Sequence, residues 1–415
     1  MEEAQLTDHT KYNISALLTV YHKAVENELK DILQYWILNT KDNHNGGFIG
    51  RINENNLPYP DAPKGVVLHC RILWAFSAAY KINPDPEYLM MATIAFNYIS
   101  LHFIDKKAGG VFWTVNADGT PLDSKKQIYA IAFAVYGCSV YFEASKNNAA
   151  KELAINLYEI IEKYSYDKEF EGYLEAFDKD WNLMADLRLS QKDANEKKTA
   201  NTHLHVLEAY TSLYKIWPDA HLKLQLEKLI LNFIDKMIDK ENGHLKLFFD
   251  EEWISKSTLI SYGHDIEAAW LLVSAAEATG NKMLLKEVKD TVVKVAIAST
   301  EGLVTDGSLW YEYEPADNLL IKEKHWWVQA EAMVGFFNHW QITADESFLK
   351  KSYQSWLYVA EFIKDKDFGE WLWGRKEDGT IMERQDKVGM WKCPYHNARA
   401  CIEILSRIQT LLPLY

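Results

Sequence analysis

A glycine followed by a short aromatic stretch recurs six times along this chain, at nearly constant spacing. The six are Gly46-Gly47-Phe48, Gly109-Gly110-Val111-Phe112-Trp113, Gly172-Tyr173-Leu174, Gly243-His244-Leu245, Gly307-Ser308-Leu309-Trp310 and Gly369-Glu370-Trp371. Successive first glycines are 63, 63, 71, 64 and 62 residues apart. A fixed period of this size marks a repeat architecture. A length of 415 residues would permit two or three domains, but an even repeat from residue 46 to the C-terminus reads as one, 1–415. If the units close into a ring, residues far apart in sequence but equivalent in the units converge on one centre.

Each aromatic stretch is followed by two segments of 3.6-residue periodicity. In the second unit these span 125–146 and 148–164, in the fourth 263–279 and 282–299, in the fifth 324–343 and 346–364. Gly280-Asn281 stops one helix, and Asn83-Pro84-Asp85-Pro86 separates another pair. The aromatic stretches read as hairpins, because Asp118-Gly119 and Asp378-Gly379 follow β-prone runs. A helix over 14–39 can partner the last one, 395–412, and close the ring. Open solenoids carry polar capping repeats, and neither end here resembles one. The expected fold is all-α: an (α/α)6 barrel of six helix pairs with short β-hairpins at its mouth.

Charge and composition narrow the function. A net charge of −14 argues against nucleic acid, whose binding rests on neutralising phosphates, and against an anionic membrane surface. Met1-Glu2-Glu3-Ala4 offers no basic or apolar leader segment. The apolar stretch 129–144 is short for a membrane span and reads as a buried helix. Cys70, Cys138, Cys393 and Cys401 form no close-spaced metal or redox pair. A cytoplasmic protein is expected. With no long insertion for subunit contact, so is a monomer. Aromatics are abundant, with 15 Trp, 23 Tyr and 17 Phe. Part of that is core; the rest suits ring faces that hold sugars.

The first helix of each pair is the richer in small and apolar residues, as befits an inner ring, yet its start is polar. His69 and Arg71 stand there in the first unit, Gln127 and Tyr129 in the second, Asn201, His203 and His205 in the third. His264 and Glu267 follow in the fourth, Trp326, Trp327, Gln329 and Glu331 in the fifth, His396 and Arg399 in the sixth. Parallel inner helices would open all these turns at one end. Each has a plainer alternative as a cap or a surface residue. His203-Leu204-His205 resembles a metal pair, but residues two apart on a helix do not face together, and no metal is expected. His264 and Glu267 share a face, so the carboxylate could fix the ring's tautomer and raise its basicity. Histidines, an arginine and aromatic platforms suit proton transfer on a sugar, where a cation such as Arg71 would stabilise an enediolate. No phosphate-cradling loop, Gly-x-Ser-x-Gly elbow or Cys/His nucleophile is present.

At these positions the chain resembles the cellobiose 2-epimerases, within the N-acylglucosamine 2-epimerase superfamily. The matching strings are Arg71-Ile72-Leu73-Trp74, Asn201-Thr202-His203-Leu204-His205, Ser261-Tyr262-Gly263-His264-Asp265-Ile266-Glu267, Lys324-His325-Trp326-Trp327-Val328-Gln329-Ala330-Glu331 and Trp391-Lys392-Cys393-Pro394-Tyr395-His396-Asn397. They are ordered and spread over the whole chain. The resemblance implies a cofactor-free epimerisation at C2 of the reducing-end glucose of a β-1,4-linked disaccharide, through ring opening and a cis-enediolate. It implies His264 and His396 as the acid/base pair, Arg71 and His205 on the C1 and C2 oxygens, and Glu267 orienting His264. Trp327 and Trp391 would stack on sugar rings, with Asn201 and Glu331 hydrogen-bonding in support; Trp270 would be a further platform or simply core. The alternatives are an aldose–ketose isomerase or N-acylglucosamine 2-epimerase acting on a monosaccharide, an inverting glycoside hydrolase with two carboxylates, and a non-catalytic sugar-binding scaffold.

Overall fold

The computed structural model describes residues 2–411, with side chains from Ile14 onward. Met1, on which part of the leader reading rests, and Leu412, the expected end of the last helix, lie outside the described residues. Among the described residues, twelve α-helices follow in chain order. They are α1 (Glu2–Asn39), α2 (Val66–Ile82), α3 (Pro86–Tyr98), α4 (Ile128–Ser145), α5 (Asn148–Tyr164) and α6 (Ala200–Ile216), then α7 (Ala220–Asn232), α8 (Tyr262–Thr279), α9 (Lys282–Ser299), α10 (Trp326–Thr343), α11 (Glu346–Tyr358) and α12 (His396–Leu411). The even-numbered helices form the inner ring, each packed on the next, and α12 returns to pack on α2. The odd-numbered helices form the outer layer, with α1 against α12. This is the closed (α/α)6 barrel.

Local sequence explains the alternation. Five outer helices open on an Asp or Asn whose side chain accepts a first-turn N–H: Asp85, Asn147, Asp219, Asn281 and Asp345. The inner helix ahead of them ends in a left-handed residue at Lys146, Gly280 and Ala344, which stops α4, α8 and α10. Helix α4 is long and apolar enough to cross a membrane, but most of it is buried inside the protein as barrel wall. Gly335 lets inner helices touch: a Cβ there would lie 2.4 Å from Ile266 Cγ1. The helix expected to run through 346–364 is α11 followed by a π-helical turn, Val359–Ile363, and α3 and α7 end the same way.

All six repeat glycines have positive φ, from 76° at Gly46 to 89° at Gly307. They turn the chain from the outer helix into the mouth, where other residues are strained. The strands are shorter than the expected hairpins and do more than pair within a unit. Two residues ahead of each of α2, α4, α6, α8 and α10 pair with the hairpin of the following unit: 64–65 with 114–115, 126–127 with 176–177, 198–199 with 248–249, 260–261 with 312–313 and 324–325 with 374–375. A single bridge from Ile52 to Val388 closes the circle. The mouth is stitched all the way round.

An ion pair is repeated with the turn. Lys64, Lys126, Lys198 and Lys324 reach Asp42, Asp105, Asp167 and Asp306 at 2.7, 2.7, 2.8 and 2.7 Å, and Lys387 pairs with Asp365. The other oxygen of Asp105 accepts the N–H groups of Lys107 and Ala108 inside its turn. Removing one partner of such a pair leaves a charge poorly solvated. Lys126→Met should therefore cost about 2 kcal/mol, at the lower side for a buried pair because the turn lies near the surface. Chemical denaturation reads this directly, and an unchanged midpoint would show that water already solvates Asp105.

Candidate active site

One position per unit points at the barrel axis. Counting along the inner helices, the equivalent residues are Arg71, Phe133, His205, Glu267, Glu331 and Arg399, all but fully buried. The residue two places earlier does a different job. His69 Nε2 accepts the N–H of Phe48, His203 Nε2 that of Tyr173, Asp265 that of Leu245 and Gln329 that of Leu309, at 2.7–3.3 Å. Each of these side chains staples an inner helix to its glycine turn. His69, His203 and Gln329 are thus structural, and the two histidines flanking Leu204 point apart.

Three of the axial residues, Arg71, His205 and Glu267, line a cavity of about 480 Å³ at the end where the inner helices begin. Eight of the ten residues expected to form a site line it: Arg71, Asn201, His205, His264, Glu267, Trp327, Trp391 and His396. Four of the inner helices, α2, α4, α8 and α10, start there without a side-chain cap. Their positive dipole ends favour negative charge in the cavity.

His264 and His396, 132 residues apart in the sequence, come to the same indole. Their ring centres lie 4.9 and 5.7 Å from that of Trp327. His396 Nδ1 donates to Glu331 Oε1 at 2.7 Å, while His264 Nδ1 meets the Ser261 hydroxyl at 2.8 Å. His205 Nδ1 donates to Glu208 at 2.8 Å. Arg71 donates to Tyr129 Oη at 2.6 Å and to the Trp391 carbonyl at 3.3 Å, and its guanidinium lies over the Phe133 ring.

Below these sits a second layer centred on Arg399, which pairs with Glu208, Glu267 and Glu331. Three carboxylates around one guanidinium cannot all ionise comfortably. Burial, reinforced by the charge of Glu331, pushes the Glu267 carboxyl well up. Burial opposes ionisation of Glu331 and Glu208 too, yet the Arg399 charge holds both below the usual carboxylate range. Burial also keeps the imidazoles neutral: it pulls His264 down to about 4, His205 to about 4 and His396 to about 3, the last despite Glu331. Ligand atoms of His205, Glu208 and Glu267, and of Glu267, Glu331 and His396, lie close enough to hold a metal ion. The Arg399 guanidinium already stands among their carboxylates as the cation.

Three expectations are corrected. Glu267 does not hold His264: its carboxylate is engaged by Arg399 at 2.6 Å, and Ser261 has the imidazole. Glu331 does not reach the cavity, since both its oxygens are used behind it, by His396, Arg399 and Trp270. Trp270 is no platform; it is buried, and its indole N–H donates to Glu331 at 3.0 Å. Sequence reasoning missed Glu208, although its place one turn beyond His205 was a signal. It also missed the loop that makes the third repeat step the longest. Residues 187–194 of that loop hang over the cavity, tied down by Gln127, which donates to the Arg188 carbonyl at 3.1 Å.

Residues 47–400 match the family model for N-acylglucosamine 2-epimerase (GlcNAc 2-epimerase). The cellobiose 2-epimerase of Bacteroides fragilis is 47% identical over 374 residues, which cover 90% of this chain and 95% of that protein. The solved structure of cellobiose 2-epimerase from Bacillus thermoamylovorans B4167 superposes with a TM-score of 0.90 at 39% identity, covering 94% of this chain and all of that one. A D-mannose isomerase structure, 20% identical with a TM-score of 0.81 over 92% of this chain and 97% of its own, shares the fold.

Proposed function

This chain belongs to the N-acylglucosamine 2-epimerase family, and within it we propose that it epimerises C2 of the reducing-end glucose of β-1,4-linked disaccharides, turning cellobiose into 4-O-β-glucosyl-mannose. We take it to act as one cytoplasmic catalytic domain, as a monomer without cofactor. The observation that carries this reading is the pair of imidazoles, His264 and His396, set against one indole in one cavity with different groups behind them. Inverting a carbon without turning the substrate over needs a proton acceptor on one face and a donor on the other.

In this reading the hemiacetal opens as the O1 proton leaves and O5 gains one, within reach of His205 and Arg71. His396 Nε2 then removes the C2 proton, and the electron pair of that bond passes into the enediolate. Glu331 behind Nδ1 stabilises the imidazolium that forms. Arg71 and the inner-helix termini face the charge developing on O1 and O2. Rotation about C2–C3 within the enediolate keeps O1 and O2 beside Arg71, and protonated His264 returns a proton to C2 from the other face. The two rings have exchanged protonation states, and water resets them. Trp327 and Trp391 supply apolar faces for the sugars, and Asn201 a hydrogen bond.

Incubation of cellobiose in D2O tests the reading. The expected product is glucosyl-mannose carrying solvent deuterium at C2. Ketose as main product would favour an isomerase, free glucose a hydrolase, and no turnover a sugar-binding scaffold.

A second expectation follows from burial. Both rings are neutral in the empty cavity, so forming the reactive complex requires one of them to gain a proton. An anionic enediolate mimic that is ionised throughout this range, such as an aldonate carboxylate, should bind with uptake of about one proton, its Kd rising about tenfold per pH unit from pH 6 to 8. Calorimetry in buffers of different ionisation enthalpy counts that proton; none taken up would contradict the assignment.

A further inference from the structure

Ser261 stands at the N-cap of α8, where a serine hydroxyl ordinarily accepts an N–H from the first turn and contributes about 1 kcal/mol. It makes no such bond. Thr199, in the same place before α6, does make it, accepting the N–H of Thr202 at 3.1 Å. Ser261 is completely buried, and its hydroxyl lies against His264 Nδ1 instead. Helix stability is given up here for a contact to one of the two imidazoles.

The chemistry of that contact differs from its counterpart at His396. A carboxylate can only accept, so Glu331 obliges His396 Nδ1 to carry a hydrogen and rewards the ring for becoming a cation. A hydroxyl can accept or donate, and it carries no charge. It fixes the plane of His264 while stabilising the imidazolium far less than a carboxylate would. We propose, resting on the two-imidazole reading above, that Ser261 is a positioning residue that aims His264 at C2 while keeping it the readier proton donor of the pair. The titratable and charged groups facing His264 are His205 on α6 and Glu331 on α10, with Arg71, Glu267 and His396 around the same cavity. His205 opposes a charge on His264 and Glu331 favours one. Ser261 supplies neither push.

The proton count is simple. In the forward direction the C2–H bond breaks to His396 and its electron pair enters the enediolate. The N–H bond of protonated His264 then breaks, leaving its pair on nitrogen, and the enediolate pair forms the new C2–H bond. A donor held too tightly by a carboxylate would slow that second transfer.

Three variants of the enzyme test the proposal: Ser261→Ala, Ser261→Thr and Ser261→Asp. Alanine should lower kcat about 10- to 100-fold with KM for cellobiose changed less than about twofold, as losing an orienting hydrogen bond does. Threonine, which keeps the hydroxyl, should restore most of it. Aspartate is a good N-cap and should preserve the helix, but it places a carboxylate behind both rings. Its kcat profile, which reports the bound complex, should shift upward by about one pH unit. The shift should fall on the high-pH limb with cellobiose, where His264 is the acid. With glucosyl-mannose, where His264 is the base, it should fall on the low-pH limb. A purely structural residue would move neither limb. Unchanged kcat in Ser261→Ala, no recovery in Ser261→Thr, or unmoved limbs in Ser261→Asp would each overturn the role of Ser261. If the unmodified enzyme epimerised without taking deuterium into C2, the two-imidazole reading would fall first.

Discussion

Alanine in place of His396 should lower the rate of cellobiose epimerisation by about 10³- to 10⁴-fold, the scale of a lost general base, and leave the fold intact. The ring lines the cavity, and its removal strands no charge, because Glu331 keeps Arg399 as a partner. Thermal unfolding within a few degrees of the parent would accompany the loss. Appreciable epimerisation by the variant would remove His396 from the mechanism. The same substitution at His264 should be comparably severe, since its partner Ser261 is uncharged.

The largest effect on stability should come from Arg399. Its guanidinium is fully buried and, among the described residues, is the only arginine or lysine paired with Glu208 and Glu267. Arg399→Met would leave three carboxylates facing one another with no counter-charge. A loss of at least about 4 kcal/mol is expected, with the protein recovering part of its stability as pH falls. The sign follows from the parent: Arg399 holds Glu208 and Glu331 below their ordinary range, so the parent gains stability from them above the unfolded value and loses it on acidification. Without the guanidinium, the crowded carboxyls rise above their unfolded values, and protonation relieves them instead. Arg399→Lys should rescue little, because one ammonium cannot reproduce the fork that spans Glu208, Glu267 and Glu331. Denaturation midpoints at pH 5 and pH 8 decide the matter. A variant as stable as its parent at both would refute the central role given to that ion cluster.

Ring closure was legible because it leaves a mark in every repeat: a turn that needs positive φ selects glycine, and an inner-ring helix selects small apolar residues. The list of polar residues at the inner-helix starts was also right in position, but position does not distinguish direction. His69 and Arg71 are two apart, and so are His203 and His205; only the second of each pair faces the cavity, while the first staples a turn. Knowing which face of α2 or α6 met the axis required the packed barrel. The roles of Glu267 and Glu331 were misread for a related reason. Spacing along α8 put Glu267 beside His264, but Arg399, 132 residues later, competes for that carboxylate more strongly. A local pattern proposes partners within a helix; a buried guanidinium from another helix decides between them. The repeated Asp–Lys pairs went unread because the chain between each aspartate and its lysine varies from 18 to 31 residues, so their period blurs.

The central claim is that two imidazoles address opposite faces of one carbon, and isotope washout in the single variants tests it most directly. In D2O, His264→Ala retains the base for the gluco face and should exchange the C2 hydrogen of cellobiose without inverting it. His396→Ala should do so only with glucosyl-mannose. Each variant should thus label one epimer and leave the other unlabelled. Both variants labelling the same epimer, or either one interconverting the two sugars at the parental rate, would contradict the account.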